Sequence, residues 1–290
     1  MYSRQELAGA FSALGVAPGD TVMVHASVRA VGEIAGGPDQ IHLAIKDAIT
    51  DRGTLMMYAS CPDYYDDVGR GVYPGSIERE ILDKMPTFDA ATARAARDNG
   101  TLVEFFRSYP GTLVNNHVAR FAVWGANAHH LISEQPWDFP FGRRSALERF
   151  VELNGKVLLI GCDHDNVTFL HYAEHILDVP DLRIVTMEVP WIEDGKRIWK
   201  EVKEVDTSGA GAHPKLARAL LRAHRQRLSG EDPESRRPRR PRALLPDGRE
   251  GPAGAGPGRD AIGGIEAHHP GVANFSGTTS VQAITKNIWV

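Results

Sequence analysis

A histidine and a glutamate lie three residues apart shortly after an apolar segment, at His171 and Glu174. Residues with this spacing share one face of a helix, so the carboxylate can act on the same pocket as the imidazole. The segment before them, residues 156–160, has the length and composition of a buried strand, and open α/β sheets place their sites beyond the carboxyl ends of such strands. The pattern indicates a histidine base with an orienting acid, although a buried structural histidine would also fit it.

A second segment, Val24–Gly37, combines a strand end with an arginine and several glycines. The strand ends in His25, Ala26 and Ser27, and Arg29 follows. Free backbone amides and a positive charge suit a diphosphate or a pantetheine amide. A strand followed by an ordinary glycine-containing turn would give the same pattern.

A third set of residues is acidic or aromatic. A polycationic amino sugar needs several carboxylates, and aromatic walls suit its ring faces. The candidates for binding such a ligand are Tyr58, Asp63, Glu104 and Asp206. Each acid taken separately could be a solvated surface charge, so only a shared pocket would make this set a binding site.

The elements that must position these residues alternate between helix and short apolar strand. Helices are predicted at 3–15, 38–50 and 90–106, strands at 21–25, 53–58, 121–124 and 156–160, and a hairpin with an Asp-Gly turn at 188–199. Residues 60–90 are predicted to form a long connection outside the sheet, called the excursion below. The alternation predicts a three-layer α/β/α fold with a largely parallel central sheet.

The bulk composition is that of an ordinary globular protein. Of 290 residues, 42% are hydrophobic and 24% are charged, and no apolar run approaches the roughly 18 residues of a membrane span. A net charge of −4 argues against nucleic acid as the main partner. The two cysteines lie outside any CxxC pair, and no cluster completes a metal-ligand set around His171, so no metal is expected. The N-terminus resembles a helix capping box rather than a signal peptide, which favours a cytoplasmic protein.

The character of the sequence changes after residue 208. Residues 209–290 are rich in arginine, proline, glycine and alanine, and most of them lack the periodic apolar pattern of a helix or strand. Such a segment is predicted to form an atypical, low-complexity tail. The abrupt change is also what a reading-frame shift in a GC-rich gene would produce.

Several stretches, in their order and spacing, resemble the aminoglycoside 3-N-acetyltransferase family over about residues 7–206. The matching stretches are 22–32 (VMVHASVRAVG), 36–38, 53–55, 100–104, 155–161 (GKVLLIG) and 168–174, with the motif Thr-x-x-His-x-Ala-Glu. At residues 114–118 and 142–146 this chain lacks the sequence motifs that are usual in the family. The resemblance is expected to end near residue 209.

The resemblance implies an α/β/α fold that transfers an acetyl group from acetyl-coenzyme A to the 3-amino group of the 2-deoxystreptamine ring. His171 matches the histidine that deprotonates the amine, and Glu174 is either its supporting acid or a contact to the antibiotic. His25 and Ser27 match the block that lines the coenzyme A side. Thr168, or backbone amides near Ser27, could hold the developing oxyanion.

Two other functions remain open from the sequence. The same machinery could acylate an amine of another antibiotic class, which a resistance spectrum would distinguish. Alternatively, the altered tail could leave a protein that binds coenzyme A without turnover.

Overall fold

Three buried strands form the centre of the sheet: β1 (Thr21–Ala26), β2 (Thr54–Tyr58) and β5 (Lys156–Ile160). They consist mainly of apolar residues, and most of their side chains are buried. In the computed structural model, β1 pairs in parallel with β2 on one side and with β5 on the other. The structure describes residues 1–162, 166–176 and 182–206, together with the backbone of two strands at 272–274 and 280–284.

The sheet has seven strands in the order β3-β4-β2-β1-β5-β9-β8. The outer strands are β3 (Leu113–Val114), β4 (Phe121–Gly125), β8 (Val272–Asn274) and β9 (Ser280–Ile284). The predicted α/β class is confirmed. However, every pairing outside the three central strands is antiparallel, so the sheet is mixed rather than largely parallel. The connection between β3 and β4 is too short for the crossover that parallel pairing requires, so these two strands form a hairpin.

Helices surround this sheet. Their bounds are α1 (Arg4–Ala13), α2 (Val28–Val31), α3 (Asp39–Ile49), α4 (Tyr64–Asp67), α5 (Gly75–Lys84), α6 (Thr101–Ser108), α7 (Ala128–Leu131), α8 (Ala146–Glu152) and α9 (Leu170–Ile176). Helix α1 begins with the predicted capping box of Ser3 and Glu6. Helices α1, α3 and α6 contribute to one buried apolar cluster together with β1 and β2. This cluster fixes the strands that end at the candidate site.

The predicted helix at 90–106 is wrong in its first half. Residues 97–99 form a single 3-10 turn, and α6 begins only at Thr101, after Gly100 with φ 81°. The segment before it is held by Arg120, whose guanidinium donates to the carbonyl oxygens of Ala90, Ala93 and Arg94. Carbonyls held from the side by one arginine do not need a helix to satisfy them.

The predicted hairpin is present and is longer than the sequence indicated. Strands β6 (Ile184–Glu193) and β7 (Lys196–Val205) pair along their full length around an Asp194-Gly195 turn. Alternate residues of β6, from Val185 to Trp191, are buried, and they pack with Phe88 and other residues of the excursion. The hairpin therefore covers the excursion as a second, two-stranded sheet.

Part of the atypical C-terminal segment pairs with the central sheet. Strand β9 runs antiparallel to β5, with Ala283 opposite Leu158, and β8 pairs with β9. The segment 209–290, predicted as a low-complexity tail, therefore includes eight positions that pair in the central sheet. All described residues belong to one compact unit of the chain.

Candidate active site

The carboxyl ends of β1 and β5 meet at one edge of the sheet, as the parallel pairing requires. The amide of Ser27, just after β1, donates to the carbonyl of Ile160 at 2.8 Å. Gly161 then turns with φ 62°, and a Cβ at this position would lie 2.4 Å from the Cβ of Ala30. Only glycine permits both this conformation and this approach, so Gly161 lies directly against helix α2.

Helix α9 brings together the two predicted catalytic residues. The Nδ1 atom of His171 lies 3.0 Å from a carboxylate oxygen of Glu174. The side chain of Glu174 is fully buried, whereas that of His171 is 19% exposed. Because a carboxylate only accepts hydrogen bonds, Nδ1 carries the proton and Nε2 has the basic lone pair. This tautomer is the one that a general base needs.

His25, at the end of β1, belongs to the surroundings of His171. Burial, and to a smaller extent the neighbouring His171, lower the pKa of His25 to about 4. The Nε2 atom of His25 is buried without a hydrogen-bond partner among the described residues. His25 is therefore a neutral imidazole beside the His171–Glu174 pair.

The other predicted cofactor-binding residues occupy different surroundings. The Oγ atom of Ser27 accepts a hydrogen bond from the amide of Ala30 and so caps the short helix α2. Arg29, on that helix, is exposed, and Thr168 is buried with its carbonyl accepting from the amide of His171. Ser27 and Arg29 follow the end of β1 in the chain, and Thr168 follows the end of β5.

A cleft with Tyr58 and Phe141 in its wall lies near His171, with the ring of Phe141 between the two. The ring of Phe141 lies 5.1 Å from that of His171 and 5.4 Å from that of Tyr58, measured between centroids. Asp66 and Glu204 supply acidic groups to the lining. Aromatic walls and carboxylates thus occur together beside the imidazole.

The four predicted substrate-binding residues are not gathered in this cleft. Tyr58 lines it, with its hydroxyl donating to Ser60 at 3.0 Å, and burial raises its pKa well above the usual value. Asp63 is exposed, and Asp206 is buried in an ion contact with Arg183.

Glu104 has a different set of partners. Its carboxylate accepts hydrogen bonds from Arg94, Arg107 and the amide of Ala95. Burial alone would raise the pKa of Glu104, but these donors lower it to about 2. The acid therefore joins α6 to the segment before it.

Glu204 and Phe141 are among the cleft residues that the substrate prediction omitted, whereas Asp66 belongs to the acidic and aromatic stretch 58–67 from which Tyr58 and Asp63 were chosen. Glu204 belongs to β7, Asp66 to α4 and Phe141 to a loop, so no local spacing links them. A signal was available for Phe141, which lies in the aromatic stretch 137–141. For Glu204, only the alternation of β7 could have indicated an inward-facing acid.

Comparison with known proteins identifies the family. The model described as aminoglycoside 3-N-acetyltransferase matches residues 23–233. The chain belongs to this family. The match extends past residue 209, where the likeness was expected to end. Aminoglycoside N(3)-acetyltransferase III of Pseudomonas aeruginosa is 37% identical over 210 residues, which cover 71% of this chain and 76% of that protein. Aminoglycoside N(3)-acetyltransferase VII of Streptomyces paromomycinus is 38% identical over 208 residues, 71% of each chain.

Solved structures of the family agree with the fold. The structure described as AAC-IIIb binary with CoASH has a TM-score of 0.69 at 36% identity and covers 79% of this chain and 85% of its own. AAC-VIa bound to sisomicin has a TM-score of 0.68 at 33% identity, with 76% and 86% covered. The family's members therefore include one structure with the coenzyme and one with an aminoglycoside.

Two searches of the described residues gave negative results. No group of three or more histidine, cysteine or acidic residues in that part of the chain is arranged to hold a metal ion. None of its helices is long and apolar enough to cross a membrane.

Proposed function

We propose that this protein transfers the acetyl group of acetyl-coenzyme A to the 3-amino group of the 2-deoxystreptamine ring of aminoglycoside antibiotics, with His171 as the base. The observation that carries the proposal is the His171–Glu174 pair in a member of the aminoglycoside 3-N-acetyltransferase family. Relatives solved with CoASH and with sisomicin support the two substrates. The donor is a metabolite of the cell interior, so the reaction is assigned to the cytoplasm.

The acceptor enters the cleft beside His171. Aminoglycosides carry several ammonium groups, which carboxylates such as Asp66 and Glu204 attract, and their sugar rings can lie against Tyr58 and Phe141. Glu204 is 2% exposed and one of its carboxylate oxygens is buried without a hydrogen-bond partner among the described residues. An unsatisfied buried oxygen is costly, so an ammonium donor there would remove a penalty as well as add a contact.

The chemical step requires an unprotonated amine, since an ammonium has no lone pair. The ammonium first loses one proton to solvent. Nε2 of His171 then accepts a second proton from the neutral amine while the nitrogen attacks the thioester carbonyl, and the carbon–sulfur bond breaks to release the thiolate of coenzyme A. The proton passes from the imidazolium to that thiolate. Glu174, hydrogen-bonded to Nδ1, stabilises the imidazolium in between.

The donor lies on the side of His25, Ser27 and Arg29. The guanidinium of Arg29 is exposed and available to a diphosphate. The hydroxyl of Thr168 and backbone amides near Ser27 are the candidates for stabilising the oxyanion of the tetrahedral intermediate. This scheme uses proton transfer and hydrogen bonding and assigns no step to a metal.

The test is an assay of free coenzyme A release with purified protein and acetyl-coenzyme A, over a panel of aminoglycosides. Turnover is expected with acceptors that carry a free 3-amine, and NMR of the product should place the acetyl group on that nitrogen. Acceptors that lack this amine should bind without turnover. Acetylation at another ring position, or no turnover with any member of the panel, would overturn the proposal.

A further inference from the structure

A second histidine, His175, lies one helical turn after His171 and contacts it directly. Nδ1 of His175 lies 2.7 Å from the backbone carbonyl oxygen of His171. On its other side, Nε2 of His175 lies 2.8 Å from an oxygen of Glu204, an ion contact whose angles fall outside those of a hydrogen bond. Both side chains of this pair are almost fully buried. His175 therefore connects the backbone of the base to strand β7.

The protonation of His175 determines the electrostatics of this connection. A carbonyl oxygen only accepts, so Nδ1 of His175 must carry a proton. A neutral ring would then place the Nε2 lone pair 2.8 Å from the Glu204 carboxylate, whereas an imidazolium places a positive charge there. Burial lowers the pKa of His175, but Glu204 more than offsets this effect and the net result is a raised pKa. The raised pKa favours the protonated ring, and in that form the contact with Glu204 is an ion pair.

The loop that carries Phe141 is built around the same histidine. The amide of Phe139 donates to the carbonyl of Lys203 at 2.7 Å, so the loop runs beside β7. The ring of Phe139 meets that of His175 edge-on at 5.7 Å. A Cβ at Gly142 would lie 3.1–3.3 Å from three atoms of His175, so a residue without a side chain is favoured there.

We propose that His175 is a positioning residue for acetyl transfer, which holds helix α9 and its His171 in register with the cleft by joining them to Glu204 on β7. The inference rests on the proposed role of His171 as the base. Glu204 lines the proposed acceptor cleft, and its contact with His175 links this cleft to helix α9, which carries His171. Misplacing a base by about 1 Å can lower the rate by about 10²-fold, so a contact that holds α9 in place can affect kcat strongly.

The charges around His175 are few. Glu204 faces it from β7, Glu174 acts on it from the same helix, and the neighbouring loop contributes the uncharged ring of Phe139. Arg70, from the excursion, faces Glu204. Raising the pH should remove the proton from His175 and weaken the link, so wild-type kcat is expected to show an alkaline decline that a variant without this imidazole does not share.

The experiment compares His175→Ala and His175→Asn with the wild type. Asparagine keeps an N–H near the position of Nδ1 for the His171 carbonyl but is too short to reach Glu204. If the link to β7 matters, both variants should lose about 10- to 10²-fold in kcat, while KM for acetyl-coenzyme A changes by less than about threefold. If His175 served only to satisfy a helix carbonyl, His175→Asn would restore kcat. The matched control is His130→Ala, which removes an exposed histidine 3.8 Å from Glu152.

A second measurement does not depend on turnover. Nitrogen-15 NMR of the apoprotein's imidazoles reports the environment of the His171 ring, which should change in both His175 variants and stay constant in His130→Ala. If the wild type turned over no aminoglycoside, the proposed function would fail while this measurement still tested the positioning role. Wild-type kcat and unaltered His171 signals in a folded His175→Asn protein would overturn the inference. If His175→Ala does not fold, His175→Asn decides alone.

Discussion

At the scale of single residues, His25, His117 and His175 show how surroundings determine charge. Burial lowers the pKa of His25 to about 4 and that of His117 to about 3, so both rings are neutral near pH 7. For His175, burial also lowers the pKa, but the contact with Glu204 outweighs it. Two of these histidines thus contribute polar but uncharged groups near the site, and the third contributes half of an ion pair.

Replacing the base tests the central assignment. His171→Ala is expected to keep the fold and to lower kcat/KM by about 10²–10⁴, because that is the typical contribution of general base catalysis. The assay of free coenzyme A release measures the loss. His129→Ala, which alters an exposed histidine away from this helix, should retain full activity. A folded His171→Ala protein with normal turnover would show that another group takes the proton.

His117 gives a prediction about stability and pH. Its Nδ1 accepts a hydrogen bond from the amide of Ala119, and its ring packs on Trp137 at 4.4 Å. The folded-state pKa, about 3, lies below the unfolded value near 6.5, so the unfolded state binds the proton more readily. The stability that the neutral ring contributes is complete above pH 6.5 and is lost as the pH falls toward 3.

Urea titrations between pH 7 and 4 measure this effect. The slope of unfolding free energy against pH should include about 1.4 kcal/mol per pH unit from His117. His117→Asn keeps an acceptor near the Nδ1 position and removes the titrating group, so its slope should be smaller by about that amount. The exposed His129→Asn serves as the control, and an equal slope in wild type and His117→Asn would contradict the assignment.

At the scale of elements, the sequence predicted the buried strands well and the loops poorly. Strands β1, β2 and β5 are short apolar runs, so hydrophobicity alone located them. His171 and Glu174 followed from helical spacing. Glu204 could not be found in the same way, because it reaches the cleft through the packing of a hairpin that is distant in sequence.

The structural role of Arg120 is a second feature that no sequence pattern indicated. Its side chain is fully buried, and it donates to four carbonyl oxygens, those of Ser60, Ala90, Ala93 and Arg94. Burial lowers its pKa to about 10, so it stays charged at neutral pH. Arg120, immediately before β4, therefore determines the course of the segment before α6, which the sequence predicted to be helical.

Arg120→Met tests this role. The substitution leaves buried carbonyls without a donor, and we expect it to lower the unfolding free energy by about 3 kcal/mol or more. Denaturant unfolding measures the change. Arg79→Met removes an exposed arginine of α5 and should change stability by less than about 0.5 kcal/mol. A value as small for Arg120→Met would mean that the carbonyls find other partners at little cost.

At the scale of the whole molecule, the sheet joins two kinds of pairing with different origins. The parallel centre brings His25 and the turn after β5 to one edge, and the antiparallel strands extend the sheet on both sides. On one side the extension comes from the neighbouring residues 113–125. On the other it comes from residues 272–284, more than a hundred positions after β5. The composition of the C-terminal segment did not predict this long-range pairing.

Strand β9 provides the test of whether the C-terminal segment belongs to the fold. Ala283 pairs with Leu158 in the antiparallel ladder between β9 and β5. Proline at position 283 cannot donate to a ladder and disfavours strand pairing, so Ala283→Pro should uncover the edge of β5. We expect a fall in Tm of about 5 °C or more, together with faster hydrogen exchange at residues 157–160.

The matched control is Ala253→Pro, a substitution of the same kind in the glycine- and proline-rich stretch 251–258. If the sheet depends on β9, only the substitution at 283 should lower Tm, because a proline elsewhere in the segment leaves the ladder with β5 intact. The tail predicted from composition gives the opposite expectation, since an appendage can be altered anywhere without cost to the core. Equal Tm values for both variants, with unchanged exchange along β5, would show that the antiparallel pairing does not stabilise the protein.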